Sequence, residues 1–242
     1  MAYALVVNTN IVGAANGGTS GTIDTTGASL LIIHISQYTV PASITPSDSK
    51  GNTWVGLTAI TGSEAEGRLW YVVNPTVGTN HTFTASGIGV FSIAQIAAFS
   101  GANTSAPFDQ ETGAADAGTS GQPGSITPSE NDCLLVTGLA LANAGSTASI
   151  NSSFTITDQE QYEGGVNEGG GLAYLIQTSA SAVNPAWSWT NSISCAMTMA
   201  SFKAASGGSV IKTFNGLANA SIKTYNGLAN ASIKTWNGVS NQ

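Results

Sequence analysis

Phe91-Ser-Ile-Ala-Gln-Ile-Ala-Ala-Phe99 and Cys195-Ala-Met-Thr-Met-Ala-Ser-Phe202 are the two stretches whose reading decides the fold. Side-chain character alternates along both with a period of two, which is the spacing at which a strand turns its residues to opposite faces. The same reading extends outward to a series of short strands. In the first half these are Ser29 to Ser36, Thr53 to Ile60, Arg68 to Val73, His81 to Ala85 and Val90 to Ser100. In the second half they are Cys133 to Leu141, Ser153 to Asp158, Leu172 to Gln177, Ala186 to Thr190 and Ser194 to Lys203. No twelve-residue window carries a capped 3.6-residue period, so helices are not expected. Short strands separated by Gly-rich turns predict an all-β, antiparallel sandwich.

The two halves also repeat each other. Thr-Ser-Gly21 matches Thr-Ser-Gly121, Ile23 matches Ile126, and Leu30-Leu31-Ile32 matches Leu134-Leu135-Val136. Further on, Leu69 and Tyr71 match Leu172 and Tyr174, and Phe99 matches Phe202. The expected body is therefore residues 1–206, a jelly-roll-like sandwich of two pseudo-duplicated halves at about 19–102 and 119–205. An alternative is two tandem immunoglobulin-like domains, with Gly101 to Gly124 as the linker.

A second, shorter repeat ends the chain. Ile211-Lys-Thr-Phe-Asn-Gly-Leu-Ala-Asn-Ala-Ser221 is followed by Ile222-Lys-Thr-Tyr-Asn-Gly-Leu-Ala-Asn-Ala-Ser232 and by Ile233-Lys-Thr-Trp-Asn-Gly-Val-Ser-Asn-Gln242. One slot changes among Phe214, Tyr225 and Trp236, as a packing position would. An eleven-residue period can mark a helical supercoil, but Asn-Gly in every unit and Thr beside an aromatic favour strand and turn. A type I′ turn at Asn215-Gly216 sets Phe214 opposite Leu217 and Lys212 opposite Asn219. Strands so short are not stable alone in water. Residues 207–242 are therefore expected to dock on the body, on other copies or on a foreign surface. The residues expected to do so are Ile211, Lys212, Phe214, Leu217, Ile222, Lys223, Tyr225, Leu228, Ile233, Lys234, Trp236 and Val239.

Charged residues make up 8% of the chain, against about a quarter in ordinary domains. Residues 1–206 hold all 13 acidic groups and only Lys50, Arg68 and Lys203, whereas the tail adds three lysines and no acid. An acidic body excludes nucleic acid as a natural partner, because phosphate binding needs clustered basic residues. It also lets a basic tail be drawn to a neighbour. No run reaches the roughly 18 apolar residues of a membrane span, and the N-terminus reads as no secretory signal. Cys133 and Cys195 sit in apolar runs and are expected to be buried free thiols rather than a disulfide framework.

Little in the sequence suggests catalysis. His34 lies in an apolar strand and His81 in Gly-Thr-Asn-His-Thr-Phe, neither beside a nucleophile or at metal-ligand spacing. Asp158, Glu160 and Glu163 lie in the densest acidic stretch; they are weak calcium candidates, and a solvated loop is the plainer reading. Trp54, Trp187 and Trp189 are candidates for stacking on sugars, with packing as the plainer reading. No cofactor is expected.

The Ile-Lys-Thr-aromatic-Asn-Gly-Leu/Val unit resembles short tandem repeats that end structural proteins of tailed bacteriophages. The body, through its Leu-Leu-Ile-Ile strand, Asp48-Ser-Lys-Gly-Asn-Thr-Trp54, Leu69-Trp-Tyr and Ala98-Phe-Ser-Gly101, is similar to β-sandwich modules of phage and bacterial surface proteins. The resemblance implies a non-enzymatic virion surface protein, either a capsid decoration or a tail or fibre component. Such a protein is made in the host cytoplasm without a signal peptide. The expected partners are copies of itself, with a trimer the most natural symmetric form, and other virion proteins. A glycan-binding module of lectin or adhesin type and a self-assembling extracellular filament or surface-layer protein are the alternatives.

Overall fold

The computed structural model describes residues 2–12, 17–38, 44–86, 91–142, 147–162 and 168–205, together with six paired dipeptides in the tail. The chain divides into two units, the body Ala2–Ala205 and the tail. The described residues of the body form antiparallel strands.

The first half supplies β1 (Ala4–Ile11), β2 (Gly17–Thr19), β3 (Leu30–Tyr38), β4 (Ser47–Asp48), β5 (Val55–Gly56), β6 (Ile60–Thr61), β7 (Ala65–Val73), β8 (Phe83–Ser86) and β9 (Ser92–Ser100). The second supplies β10 (Phe108–Gly121), β11 (Cys133–Leu141), β12 (Ser149–Ile150), β13 (Thr155–Glu160), β14 (Gly169–Gln177) and β15 (Trp187–Phe202). Each half builds one six-stranded sheet. The first has the order β1-β9-β3-β7-β5, with β6 on β7; the second has the order β10-β15-β11-β14-β13, with β12 on β15.

The duplication extends to the register. Leu5 and Leu30 both pair with Phe99, as Phe108 and Leu134 both pair with Phe202. The ladder is bulged between Leu5 and Val7, and at the equivalent place between Phe108 and Gln110. The isolated bridge of Ile23 to His81 recurs as Ile126 to Val183.

The two sheets pack face to face. Leu30, Ile32, Leu69, Ala97 and Phe99 meet Leu134, Val136, Leu172, Ala200 and Phe202 in one buried cluster. Phe99 meets Tyr174 edge-on at 5.3 Å and 66°, and Tyr71 meets Phe202 at 5.3 Å and 65°. The same pair, used once in each direction, is what a twofold-related interface requires. At the crossing, Ala102 bridges Ala204 antiparallel, and Ala205 N–H donates to Gly101 O at 2.7 Å. Gly101 has φ 89°, and a Cβ there would collide with the Ala2 backbone.

The central strands β3 and β11 are buried on both faces, which is why they read as near-continuous apolar runs. Leu31, Ile33 and Ile35 turn away from the second sheet toward Trp54, Trp70 and Phe83, in a core to which Ala85 of β8 also belongs. β8 is the middle strand of a small sheet, β2-β8-β4. Leu135, Leu139, Met197 and Met199 turn outward into a different core with Ile126, Phe154 and Trp187.

Three expectations are corrected. The supposed linker Gly101 to Gly124 contains β10, a 14-residue edge strand, and the halves share a core, so they are not tandem beads. Ala186 to Thr190 and Ser194 to Lys203 are one strand, β15, with a register shift. Asp158 and Glu160 belong to β13 rather than to a solvated loop.

Candidate functional site

The described residues of the tail pair as three hairpins. Thr213–Phe214 pairs with Leu217–Ala218, Thr224–Tyr225 with Leu228–Ala229, and Thr235–Trp236 with Val239–Ser240. In each the aromatic stands opposite Leu or Val across a two-residue connection, the register expected of Asn-Gly. This places Phe214, Leu217, Tyr225, Leu228, Trp236 and Val239 at closing pairs. Ile211, Lys212, Ile222, Lys223, Ile233 and Lys234 lie outside the described residues.

The tryptophans are not sugar platforms. Trp54 is 9% exposed, Trp187 0% and Trp189 6%, so neighbours cover faces that a sugar ring would need. Trp54 Nε1 donates to Asp48 at 2.8 Å, Trp187 Nε1 to Thr137 Oγ1 at 3.2 Å and Trp189 Nε1 to Gly118 O at 2.9 Å. Their indoles anchor cores, and Trp189 also borders a shallow groove, of about 310 Å³, with Thr147, Ala148, Ser149, Ser188 and Thr190.

The described calcium candidates, Asp158 and Glu160, are engaged within the body. Glu160 Oε1 accepts from Asn10 Nδ2 at 2.6 Å across the sheet interface, and Asp158 Oδ1 accepts the Gln159 N–H at 2.9 Å. Burial raises the pKa of both carboxyls. Glu163 lies outside the described residues, and no metal-sized group of His, Cys, Asp and Glu occurs among those described.

The histidines have partners that the sequence does not reveal. His81 Nε2 is 3.1 Å from Asp48 Oδ1, and its Nδ1 is 2.9 Å from Thr25 Oγ1. A Thr–His–Asp order suggests an acyl-transfer triad, but Thr25 and His81 are both 0% exposed. The Thr25 hydroxyl also accepts the Gly78 N–H, while Asp48 takes Lys50 N–H, Asn52 Nδ2 and Trp54 Nε1. Thr25, His81 and Asp48 are thus all engaged inside packed protein, and His81 stacks on Phe83 at 4.3 Å. The cluster is a clamp that ties three loops to one end of the first half.

His34 projects from β3 into the interface between the two sheets. Its Nδ1 lies 3.3 Å from Gln95 Oε1, while its Nε2, Gln95 Nε2 and Thr198 Oγ1 have no hydrogen-bond partner among the described residues. Burial lowers its pKa to about 4. By register the duplicate of His34 is Gly138: His34 pairs with Leu69 and Gln95, Gly138 with Leu172 and Thr198. A Cβ on Gly138 would overlap the imidazole, and one on Gly67 would lie 3.1 Å from its Nε2. Near the pseudo-twofold there is room for one ring, and the second copy of the position is empty of side chain.

Cys133 and Cys195 are buried free thiols. Leu141 pairs with Cys195, eight residues along β11 from Cys133, a separation of about 26 Å against the roughly 7 Å limit for a bridge. Burial pushes each thiol up to about 11, so neither is a nucleophile near neutral pH. The body's basic residues are also engaged: Lys50 on Thr79 O, Arg68 on Leu57 O and over Trp70, and Lys203 beside Asp109. Among the described residues no helix is long and apolar enough to cross a membrane. Compared with known protein families, curated proteins and solved structures, the chain matches none.

Proposed function

We propose that this chain is a non-enzymatic structural protein of a bacteriophage virion surface, a capsid decoration or a tail or fibre component. Its C-terminal hairpins join it to its neighbours. The observation that carries the reading is the threefold hairpin, with the same register each time and arms two residues long. Isolated hairpins of that size are marginal in water, so three in a row gain their stability from a surface they dock on. Strand addition supplies main-chain hydrogen bonds for that docking, and several weak hairpins acting together gain avidity.

The body fits the role of an exposed, inert unit. Its histidines and the candidate tryptophans are consumed by packing and hydrogen bonds rather than directed into a cleft. Its net charge of −10 stands against +3 on the tail, which favours contact between unlike parts of neighbouring copies. In this reading the assembly is a symmetric homo-oligomer, a trimer in the simplest form, seated on other virion proteins. The buried tryptophans leave the glycan-binding alternative without its platforms.

The test is the mass in solution, by light scattering after size exclusion, of the full chain beside a chain ending at Ser206. A defined oligomer for the first and a folded monomer for the second is the expected result. Open-ended polymers would favour the filament alternative instead. The same folded monomer for both would refute an assembly role for the tail.

A further inference from the structure

β10 lies at the edge of the second sheet, and the side away from β15 carries no strand among the described residues. Its stretch Ala115-Asp116-Ala117 is exposed. Asp116 O accepts from Cys195 Sγ at 3.4 Å and Gly118 O from Trp189 Nε1 at 2.9 Å, so those two residues face inward. The pleat then turns the peptide groups of Ala115 and Ala117 outward. Among the described residues the Ala117 N–H is held only by the Asp116 carboxylate, at 2.8 Å. Short side chains let another backbone approach, and an exposed edge of this kind is a template for added strands.

We propose that this edge is the acceptor for a tail hairpin of a second copy of the chain. The inference rests on the assembly role given above and names the surface it uses. Charge selects the occupant: Asp116 is an acid in the middle of the edge, and a lysine directly precedes the Thr-aromatic arm of every hairpin. The copy follows from the joining role given above, and each chain carries one β10 and three described hairpins, so one hairpin fills each edge and two remain for other surfaces.

The experiment uses full chains. Asp116→Lys reverses the charge at an exposed position, and Ala117→Pro removes an outward N–H without cutting the β10–β15 ladder. Both variants are expected to melt like the parent by circular dichroism, and to dissociate at concentrations at least tenfold higher in light scattering. An Ala117→Cys chain, which keeps Asp116, mixed with a Thr224→Cys chain is expected to give a disulfide-linked species of twice the chain mass. If the oligomer persists unchanged in both edge variants but is lost on removing the tail, the edge is not the acceptor although the assembly role stands. If the disulfide forms only within chains carrying both substitutions, the occupant is the chain's own tail and the inference falls. If the full chain is itself a monomer, both readings fall.

Discussion

Gly138→Ala is the sharpest test of how the two halves meet. The added methyl would overlap the His34 ring, which is fully buried between the sheets with Leu69 and Gln95 beside it. The ring cannot swing to solvent, so either the sheets separate slightly or His34 leaves its rotamer and its Gln95 contact. Overpacking of this kind costs about 1–3 kcal/mol, and a lost buried hydrogen bond about 1 kcal/mol more. The sum is about 3 kcal/mol, or roughly 6–12 °C in Tm for a body of this size. The assay is thermal and urea unfolding followed by circular dichroism, run as a double-mutant cycle with His34→Ala. The methyl should be much less costly once the ring is gone, because it then partly fills the space that the ring occupied. Equal stability of Gly138→Ala and the parent, or an equal cost with and without the ring, would refute the one-ring interface.

Three further outcomes follow from the same geometry. His34 is neutral in the fold down to about pH 4, whereas the unfolded chain takes up its proton near pH 6.5. Its contribution is whole above about 6.5 and is lost as pH falls toward 4, by up to about 3 kcal/mol; a His34→Gln chain should show a flatter urea-midpoint profile across that window, and an unchanged slope would contradict it. Asp48→Ala strands the buried His81 and Trp54 donors together and should cost about 2–6 kcal/mol, about 1–3 for each donor, in urea unfolding, with tryptophan emission shifted to the red; a cost under about 1 kcal/mol would show that the clamp is not structural. Cys133 and Cys195 should resist a thiol reagent in the native protein at pH 8 and react together on unfolding, whereas rapid native labelling would contradict their burial.

How much of this was legible in the sequence depended on which forces act at each place. β11 lies where it was expected, Cys133–Leu141, because an apolar run bounded by polar turns has one favourable fate. The pairing of Phe214 with Leu217 was legible for a local reason, since Asn-Gly sets a two-residue connection. β10 was not legible. Glu-Thr-Gly-Ala-Ala-Asp-Ala-Gly carries no alternation, and it becomes a strand only because β15 offers it a ladder. His81 looked solitary for a similar reason: Thr25 and Asp48 lie 56 and 33 residues away and meet it only after the loops close. The three tryptophans were ambiguous because an indole suits either a core or a sugar-binding surface, and the packing around it decides which.

The sequence by itself determined that this is an antiparallel all-β protein, that its body is written twice and that its tail is written three times. Those features follow from side-chain period, turn residues and repetition, all of which act over a few neighbours. Only the tertiary structure decided that each half makes a whole sheet, that the copies face each other about a pseudo-twofold, and that His34 occupies the space left by a glycine at its own duplicate. Such choices depend on volume and hydrogen-bond partners supplied by strands about a hundred residues apart, and no local pattern encodes them.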